Sequence, residues 1–339
     1  DHRFTDAVEP ERKNAKKQRI FKKGAFRGRG AREAEKVRNK RVIKEDKGGK
    51  GVLLNKEVIK KFVRTALCED AARCDITTLA FIPKEAKVEA RIVAKETGVV
   101  CGISIGQEVF NAFDKNIFYN AKKKDGDSVA KDEAIVFLKG KARSILSCER
   151  VALNFLSYLS GISSDTRRAV LKVRSKGIHI LDTRKTTPLY RMFEKYAVAM
   201  GGGKNHRFSL AGQYLVKDNH LFILKDTCGL DVLSKRSGDV PFEIEVENLS
   251  ELRKALAFDP NIIMLDNFSP KEVRQAVRLL AQLFPKKTNR PFIELSGGIC
   301  LKNISRYAIK GVDFISLGSL THSSHALDLS LEITKAYSR

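Results

Sequence analysis

The chain has 339 residues, 42% of them hydrophobic, which is enough for one large α/β domain with additions or for two domains. It carries 64 Lys and Arg against 40 Asp and Glu, a formal net charge of +24. No apolar run of about 18 residues occurs, which excludes a transmembrane helix. The start, DHRFTDAVEP, has no apolar core of a signal peptide. The six cysteines form no Cys-x-x-Cys pair, so we expect reduced thiols in a cytoplasmic protein and no zinc site.

The first 52 residues form a basic segment of low complexity. Residues 1–50 hold 18 Lys and Arg against 8 Asp and Glu. Stretches such as KKGAFRGRGAREAEK contain too few aliphatic side chains to build a buried face, which predicts a disordered tail. Such a tail can bind nucleic acid or another anionic surface. A solvated extension without a specific function explains the same composition.

The pattern changes at residue 53, where apolar periodicity begins. NKEVIKKFVRTALCED spaces its apolar residues at helical intervals, with Asn55 as the N-cap. CDITTLAFI, KVEARIVAKETGVVCG and EAIVFLKGKARSIL are short apolar stretches typical of strands, and ISIGQEVFNAF predicts a helix between the last two. Together these elements predict a small α+β domain over residues 53–148.

The rest of the chain has a different rhythm. LSCERVALNFLSYLSGISSDTRRAVLKVRSKG predicts one or two helices, with Gly161 as the expected break. After it, helical stretches alternate with the apolar strands IHILDTRK, QYLVKDNH, FEIEVEN, NIIMLDN, FIELSGG and DFISLGSLTHS. This alternation is typical of a parallel sheet, and six or more units favour an α/β barrel. We assign residues 149–339 to the barrel domain and leave open whether its last helix returns to the N-terminal domain.

Polar residues follow each of these six strands, at the positions where α/β barrels carry their functional groups. The basic strand ends are Arg184 with Lys185, and Lys217. The acidic strand ends are Glu245 and Asp266. The last two strand ends are rich in glycine and serine, with Ser296, Gly297 and Gly298 after one and Gly318, followed by His322, after the other. The pattern predicts a divided site with basic, acidic and glycine-rich parts.

Each part suggests a ligand. Glycine-rich loops after the last strands predict phosphate binding, because their backbone N–H groups can approach an anion. Glu245 and Asp266 close neighbouring strands, which favours Mg²⁺ bound together with substrate oxygens. An acid/base pair or two solvated carboxylates are the alternatives. Four basic side chains, Arg184, Lys185, Arg207 and Lys217, would form one wall of the site. Because the arginine fork donates two parallel hydrogen bonds, they predict a carboxylate ligand.

In the same order and spacing, DTRKTTP, EKYAV, GGGKNHR, VKDNH, IEVE, LDNFSP, ELSGGI and GSLTHS resemble the quinolinate phosphoribosyltransferases, also called nicotinate-nucleotide pyrophosphorylases. The resemblance runs from about Asn55 to the C-terminus. It implies Mg²⁺-dependent transfer of a phosphoribosyl group from phosphoribosyl pyrophosphate to quinolinate. The products would be nicotinate mononucleotide, pyrophosphate and CO2, in de novo NAD synthesis. It also implies an incomplete parallel α/β barrel beside an N-terminal α+β sandwich, in a homodimer with shared active sites.

The same motifs imply roles for particular residues. Those expected to bind quinolinate are Arg184, His206, Arg207 and Lys217, with Arg150 supplied by the neighbouring subunit. Those expected to bind the phosphoribosyl donor and its phosphates are Lys185, Glu245, Asp266, Ser296, Gly297, Gly298, Gly318 and His322. Glu245 and Asp266 would hold Mg²⁺. The catalytic set would be Arg184, Lys185, Lys217, Glu245 and Asp266.

Two positions depart from the family pattern. Leu189 stands where the motif TTPGLR has its glycine, and Ser209 stands where a glycine is usual after NHRF. A glycine at position 189 matters only if the backbone there adopts a positive φ. The basic residues of both motifs are present, so we expect the departures to alter the loop geometry and the rate and not the type of reaction.

Two other functions stay open. A molybdenum-transport-associated relative of the same fold shares the glycine and basic motifs, although the complete set from Arg150 to His322 weighs against it. A basic nucleic-acid-binding protein would use the tail and the charged body. Against it, the body's basic groups are interleaved with carboxylates and glycine loops, and no RNA-binding motif with stacked aromatic residues is present.

Overall fold

The computed structural model describes residues 44–45, 52–235, 240–285 and 290–337, so most of the expected tail lies outside the described residues. The helices are α1 Lys56–Glu69, α2 Ile76–Phe81, α3 Ile103–Phe113, α4 Ala142–Val173, α5 Arg191–Met200, α6 Asp218–Thr227, α7 Leu249–Ala255, α8 Pro270–Leu283, α9 Ile304–Tyr307 and α10 Ser319–His322. Among them, none combines the length and apolarity needed to cross a membrane. The strands are β1 Lys44–Glu45, β2 Val52–Leu53, β3 Lys87–Ala94, β4 Gly98–Val99, β5 Phe118–Ala121, β6 Ser128–Val129, β7 Ala134–Lys141, β8 His179–Leu181, β9 Tyr214–Val216, β10 Phe242–Val246, β11 Ile262–Asp266, β12 Phe292–Ser296, β13 Phe314–Ser316 and β14 Leu329–Tyr337.

The N-terminal domain is built on an antiparallel sheet with the strand order β14–β3–β7–β5. Its outer strand β14 is the last described element of the chain, for which we expected a helix, and that expectation is wrong. Leu329, Leu331 and Ile333 alternate with polar residues, and this period of two suits a strand. The chain therefore returns to the N-terminal domain as a strand paired with β3.

Helix α2 replaces a strand that the apolar pattern of CDITTLAFI predicted. Asp75 precedes the helix and accepts a hydrogen bond from the backbone N–H of Thr78 at 3.0 Å. An N-cap of this kind stabilises a helix start that short-range hydrophobicity does not reveal. The expected cap of α1 is confirmed, because the Asn55 side chain accepts a hydrogen bond from Glu57 N at 2.8 Å.

Helix α4 joins the two parts of the molecule. It runs unbroken for 32 residues and crosses the boundary drawn after residue 148. The expected break at Gly161 is wrong. A Cβ at this position would lie 1.8 Å from the carbonyl oxygen of His325, so the glycine serves a close approach between chain segments and not a bend. The helix packs on α3 from one side and on α5 and β8 of the barrel from the other.

The predicted incomplete α/β barrel is confirmed as six parallel strands in the order β8–β13–β12–β11–β10–β9. Within the described ranges, no ladder joins the outer strands β8 and β9. A single parallel bridge attaches Lys204 to Leu181 of β8, and the chain then crosses the gap to Tyr214, where β9 begins. We call residues 204–213 the strap. The strap thus occupies the open side of the barrel.

Candidate active site

The carboxyl ends of the strands bring most of the predicted site residues to one rim of the barrel. Lys217 follows β9, Glu245 lies near the end of β10, and Asp266 ends β11. Ser296 ends β12, and Gly318 follows β13 at the start of α10. Since parallel strands all end at the same edge, these residues follow one another around the rim in strand order.

An acidic centre lies between the basic and glycine-rich parts of this rim. Lys217 forms an ion pair through Nζ with Oε2 of Glu245, whose side chain is only 8% exposed. Burial raises the pKa of Glu245, while the Lys217 charge acts to lower it and the nearby Asp266 acts to raise it. Asp266 itself is half-buried and accepts a hydrogen bond from Asn267 Nδ2 at 2.8 Å. One carboxylate is therefore held by a lysine, and the other faces the rim beside it.

The predicted phosphate-binding residues converge around glycines. Gly297 has a φ of +86°, and a Cβ there would lie 2.2 Å from the Asn267 side chain, so only glycine allows the two loops to pack. Beside Gly318, the side chains of Lys185 and His322 both reach within 3.2 Å of the place a Cβ would occupy. A side chain of the loop after β8 and one of α10 thus meet at the glycine that precedes α10.

The first basic loop, residues 183–190, runs from β8 to α5. Lys185 N donates to Thr183 Oγ1 at 3.0 Å, and Lys185 O accepts from Thr321 Oγ1 at 2.7 Å, which ties the loop to α10. Arg184 is half-buried, and its Nε has no hydrogen-bond partner in the part of the chain that the structure describes. Because a buried donor without a partner is costly, Arg184 is suited to an anionic ligand.

Glu194, which lies in α5 within the EKYAV motif, supports this loop, and our sequence analysis gave it no role. Its side chain is fully buried, and its two oxygens accept the backbone N–H of Thr187 at 3.2 Å. Tyr158 of α4 donates its hydroxyl to the same carboxylate at 2.6 Å. The only sequence signal was a glutamate among apolar residues of a helix.

The two departures from the family pattern differ in backbone conformation. Leu189 has a φ of +66° and a side chain that is 87% exposed, whereas Ser209 is not among the described residues with a positive φ. A left-handed conformation is strained for a residue with a Cβ. The glycine that the family usually has therefore suits position 189 and is not required by the backbone at position 209.

Within the strap, His206 forms four hydrogen bonds. Its backbone N–H donates to Asp182 Oδ1 at 2.8 Å, and its carbonyl accepts from Lys195 Nζ at 3.0 Å. Ring atom Nδ1 accepts from Arg207 N at 2.8 Å, which places the ring proton on Nε2, 3.1 Å from Glu243 Oε2. All hydrogen-bonding groups of this residue are thus engaged by the protein.

A buried ion pair lies beneath the strap. Asp182, which follows β8, and Lys195 of α5 are both fully buried and bonded to each other. Burial raises the pKa of Asp182 and lowers that of Lys195, and each shift is opposed by the charge of the partner. Asn205 Nδ2 also donates to Asp182 at 2.6 Å. The sequence showed these residues inside family motifs but gave no signal that they pair.

Two further carboxylates, Glu243 of β10 and Glu294 of β12, lie fully buried in the barrel interior near His206. Burial, followed by the charge of Glu243, raises the pKa of Glu294 to about 8. These three residues are close enough to share a metal ion. One oxygen of each glutamate already accepts a hydrogen bond, however: Gln213 Nε2 donates to Glu243 Oε2 at 2.6 Å, and Ser316 Oγ donates to Glu294 Oε1.

Arg150 is not brought to this rim by any recorded contact. It lies exposed on α4, eight residues before Tyr158, and forms no hydrogen bond or ion pair within the described ranges. The other predicted residues lie at or shortly after the strand ends, apart from His206 and Arg207 on the strap.

A parallel barrel with carboxylates, glycine loops and converging basic groups at the carboxyl ends of its strands defines the class of α/β-barrel enzymes that bind anionic substrates. Two family models specify it further. The N-terminal domain of quinolinate phosphoribosyl transferase matches residues 75–160, and the C-terminal domain of the same family matches residues 162–332. The chain belongs to this family.

Individual relatives agree over most of the chain. A probable nicotinate-nucleotide pyrophosphorylase (carboxylating) of Methanocaldococcus jannaschii is 42% identical over 83% of this chain and 99% of its own length. One from Bacillus subtilis is 41% identical over 83% of this chain and 95% of its own. The solved nicotinate-nucleotide pyrophosphorylase of Francisella tularensis superposes with a TM-score of 0.74 at 37% identity, covering 83% of this chain and 98% of that one.

Proposed function

We propose that this chain transfers the phosphoribosyl group of phosphoribosyl pyrophosphate to quinolinate and releases CO2, yielding nicotinate mononucleotide and pyrophosphate in de novo NAD synthesis. The observation that carries the proposal is the order of groups around the rim. The strap and Lys217 come first, the carboxylates Glu245 and Asp266 follow, and the glycine loops complete the circle beside Lys185. This order suits an acceptor with carboxylates next to a donor with phosphates.

The acceptor fits the basic part of the rim. Quinolinate carries two carboxylates, and Arg184 offers an Nε that has no hydrogen-bond partner among the described residues. Arg207 of the strap and Lys217 after β9 supply further positive charge. Because the pyridine nitrogen is itself the nucleophile, no serine, cysteine or aspartate nucleophile is required. Fixing the ring in line with the sugar carbon then provides much of the rate.

The donor fits the glycine-rich part of the rim. Lys185 and His322 meet over Gly318, and the loop that begins at Ser296 offers backbone N–H groups at Gly297. Pyrophosphate leaves from a transition state with a cation-like sugar and a growing charge on the leaving group. Basic side chains that are already positioned stabilise that charge.

Mg²⁺ fits the acidic centre. Glu245 and Asp266 come from adjacent strands, and Mg²⁺ prefers one or two carboxylates together with substrate oxygens. When bound, the ion would neutralise phosphate charge. In this structure Lys217 holds Glu245, so we expect Lys217 to exchange that contact for a substrate carboxylate. Asp266→Asn should raise the Mg²⁺ concentration needed for half-maximal rate about tenfold, whereas an unchanged requirement would place the ion elsewhere.

Decarboxylation follows ribosyl transfer, because the pyridinium formed in the first step stabilises the negative charge left when CO2 departs. Arg184 and Lys217 assist by holding the departing carboxylate. Arg184→Ala should therefore lower kcat as well as raise KM for quinolinate. A variant with an unchanged kcat and a raised KM would limit Arg184 to binding.

The decisive assay measures pyrophosphate release with quinolinate or nicotinate as the acceptor. Turnover with quinolinate, dependent on Mg²⁺ and accompanied by CO2, is the expected result. Turnover with nicotinate instead would contradict the decarboxylating reaction. Absence of turnover together with salt-sensitive RNA binding would favour a nucleic-acid-binding protein.

We also infer a homodimer in which Arg150 serves the neighbouring subunit's site. Arg150 is exposed and without a bonded partner in the described chain, and α2 nearby exposes 81% of Ile76 and 80% of Phe81. An apolar surface of this kind suits a protein interface. The dimer should appear in light scattering at micromolar concentration.

Mixing two inactive variants tests the shared site. In a heterodimer of Arg150→Ala and Lys185→Ala subunits, one of the two sites would have both residues intact. A random mixture should recover about a quarter of wild-type activity. If Arg150 acted within its own subunit, each subunit would carry one defect and the mixture would stay inactive.

A further inference from the structure

We propose that Glu243 is a positioning residue that fixes the strap, and through it Arg207, at the substrate side of the barrel. The inference rests on the proposed function, since it assigns Arg207 to quinolinate binding. Glu243 is not one of the residues for which the family motifs implied a role. Its position in β10, one side-chain row below the metal-binding candidate Glu245, gives it a separate task.

One oxygen of Glu243 connects both ends of the strap. Its Oε2 accepts a hydrogen bond from His206 Nε2 at 3.1 Å and another from Gln213 Nε2 at 2.6 Å. The carbonyl of Gln213 in turn accepts from Arg207 Nη1 at 3.0 Å, and Arg207 N donates to the His206 ring at 2.8 Å. The backbone N–H and the guanidinium of Arg207 are thus both linked to the Glu243 carboxylate, the first through His206 and the second through Gln213.

The strap needs such a support because it is not part of the sheet. Its start is bridged to β8 at Lys204, and Asp182 holds His206 N from that side. Glu243 reaches it from β10, across the gap. One carboxylate thus follows the edge strand β8, and the other projects from β10, which lies beside the opposite edge strand β9.

The burial of Glu243 supports a specific task. Its side chain is fully buried, and its Oε1 has no hydrogen-bond partner in the part of the chain that the structure describes. A buried carboxylate with one unsatisfied oxygen costs stability compared with an apolar residue. Glu243 forms two hydrogen bonds with the strap, so it acts on the reaction by positioning Arg207.

Glu243→Gln is the test variant. Glutamine keeps the size of the side chain and one acceptor oxygen, but it removes the negative charge that strengthens both bonds to the strap. We expect KM for quinolinate to rise about tenfold. KM for phosphoribosyl pyrophosphate should stay within about twofold and kcat within about threefold of wild type. A merely structural role would lower the amount of folded protein without separating the two KM values.

Glu294→Gln is the matched control. Glu294 is equally buried in the barrel interior, but it accepts from Ser316 and lies 3.7 Å from His206 Nε2, beyond hydrogen-bond distance. Its KM for quinolinate should stay within about twofold of wild type. If both variants raised KM for quinolinate equally, the loss of any buried charge in the barrel interior would explain the effect. The positioning role of Glu243 would then be overturned.

A second variant covers the case in which Glu243→Gln does not fold. Gln213→Ala leaves the core intact and removes one of the two strap contacts, and it should raise KM for quinolinate about threefold. If the wild-type protein turned over quinolinate while Glu243→Gln and Gln213→Ala both showed the wild-type KM for it, this inference would be overturned and the proposed function would stand. A wild-type protein that neither binds quinolinate in calorimetry nor turns it over would overturn the proposed function and this inference with it.

Discussion

The first basic loop (183–190) and the strap (204–213) each carry two predicted substrate residues, but they are held in different ways. The loop with Arg184 and Lys185 rests on one buried acceptor, Glu194, on a 3.4 Å hydrogen bond between Thr187 and Tyr158, and on a hydrogen bond to α10. The strap with His206 and Arg207 rests on a buried ion pair and on Glu243. The loop is thus anchored by one carboxylate, and the strap by two carboxylates and a buried lysine.

The difference follows from where each segment lies. The first loop follows β8 directly and leads into α5, so the sheet and the helix hold both of its ends. The strap crosses the open side of the barrel with a single bridge at Lys204. A segment that lacks a ladder needs strong local bonds, and bonds to charged groups are the strong ones. Buried charge thus replaces the missing sheet pairing of the strap.

The largest effect is expected from Asp182→Ala, which removes the charge under the strap. It would leave Lys195 buried without its partner, which costs about 3–5 kcal/mol in the free energy of unfolding. Urea unfolding of the variant measures this loss. The double variant Asp182→Leu with Lys195→Met should recover most of it, because no unpaired charge remains. A double variant as unstable as the single one would show that the bonds to Asn205 and His206, and not the charge, dominate.

Glu194→Ala should have the next largest effect, on the first loop. It removes the acceptor of Thr187 N and of the Tyr158 hydroxyl, and unsatisfied buried donors cost about 2 kcal/mol. Tyr158→Phe removes only the second of these bonds and should cost about 1 kcal/mol. Both are measured by urea unfolding. If Glu194→Ala and Asp182→Ala lowered the free energy of unfolding equally, the loop and the strap would not differ in how strongly they are held.

Glu294, which lies near His206 of the strap, should make the free energy of unfolding depend on pH. The folded pKa of Glu294 is raised to about 8, above the ordinary value of 4.5 for a glutamate. Between these values the folded protein holds a proton that the unfolded chain releases, so stability falls as pH rises through this window. The loss should be about 3 kcal/mol between pH 5 and pH 8. Glu294→Gln, which does not titrate, should flatten the dependence. An unchanged slope would assign it to other groups.

Much of the rim could be predicted from the sequence because each strand is a strong apolar run with a polar end. Lys217, Glu245 and Asp266 were placed by strand ends alone, and the structure brings them together. The supports could not be predicted. Asp182 and Lys195 belong to different elements and meet only in the folded barrel. No spacing rule relates two such positions.

The errors in secondary structure have the same origin. Gly161 was expected to break a helix, but it accommodates the carbonyl of His325, more than 160 residues further along the chain. Strand β14 forms because β3 is available to pair with it. Local propensity is overridden in both places by a contact that only the tertiary fold creates.

The smallest effect should come from the two positions that depart from the family pattern. Leu189 has a φ of +66° and an exposed side chain, so Leu189→Gly would relieve backbone strain and lose little packing. Strain in the left-handed region costs roughly 1–2 kcal/mol, and the added entropy of glycine in the unfolded chain offsets part of the gain. We expect Leu189→Gly to raise the free energy of unfolding by about 0.5–1 kcal/mol.

Ser209→Gly is the control on the strap. Its backbone has no positive φ to relieve, so glycine would add entropy to the unfolded chain and remove the acceptor of Ala211 N at 3.4 Å. We expect a loss of about 0.5 kcal/mol. Urea unfolding of the two variants should therefore give changes of opposite sign. A gain at both positions would mean that the strap is also strained at Ser209, and that the buried charges hold it in a conformation its sequence does not favour.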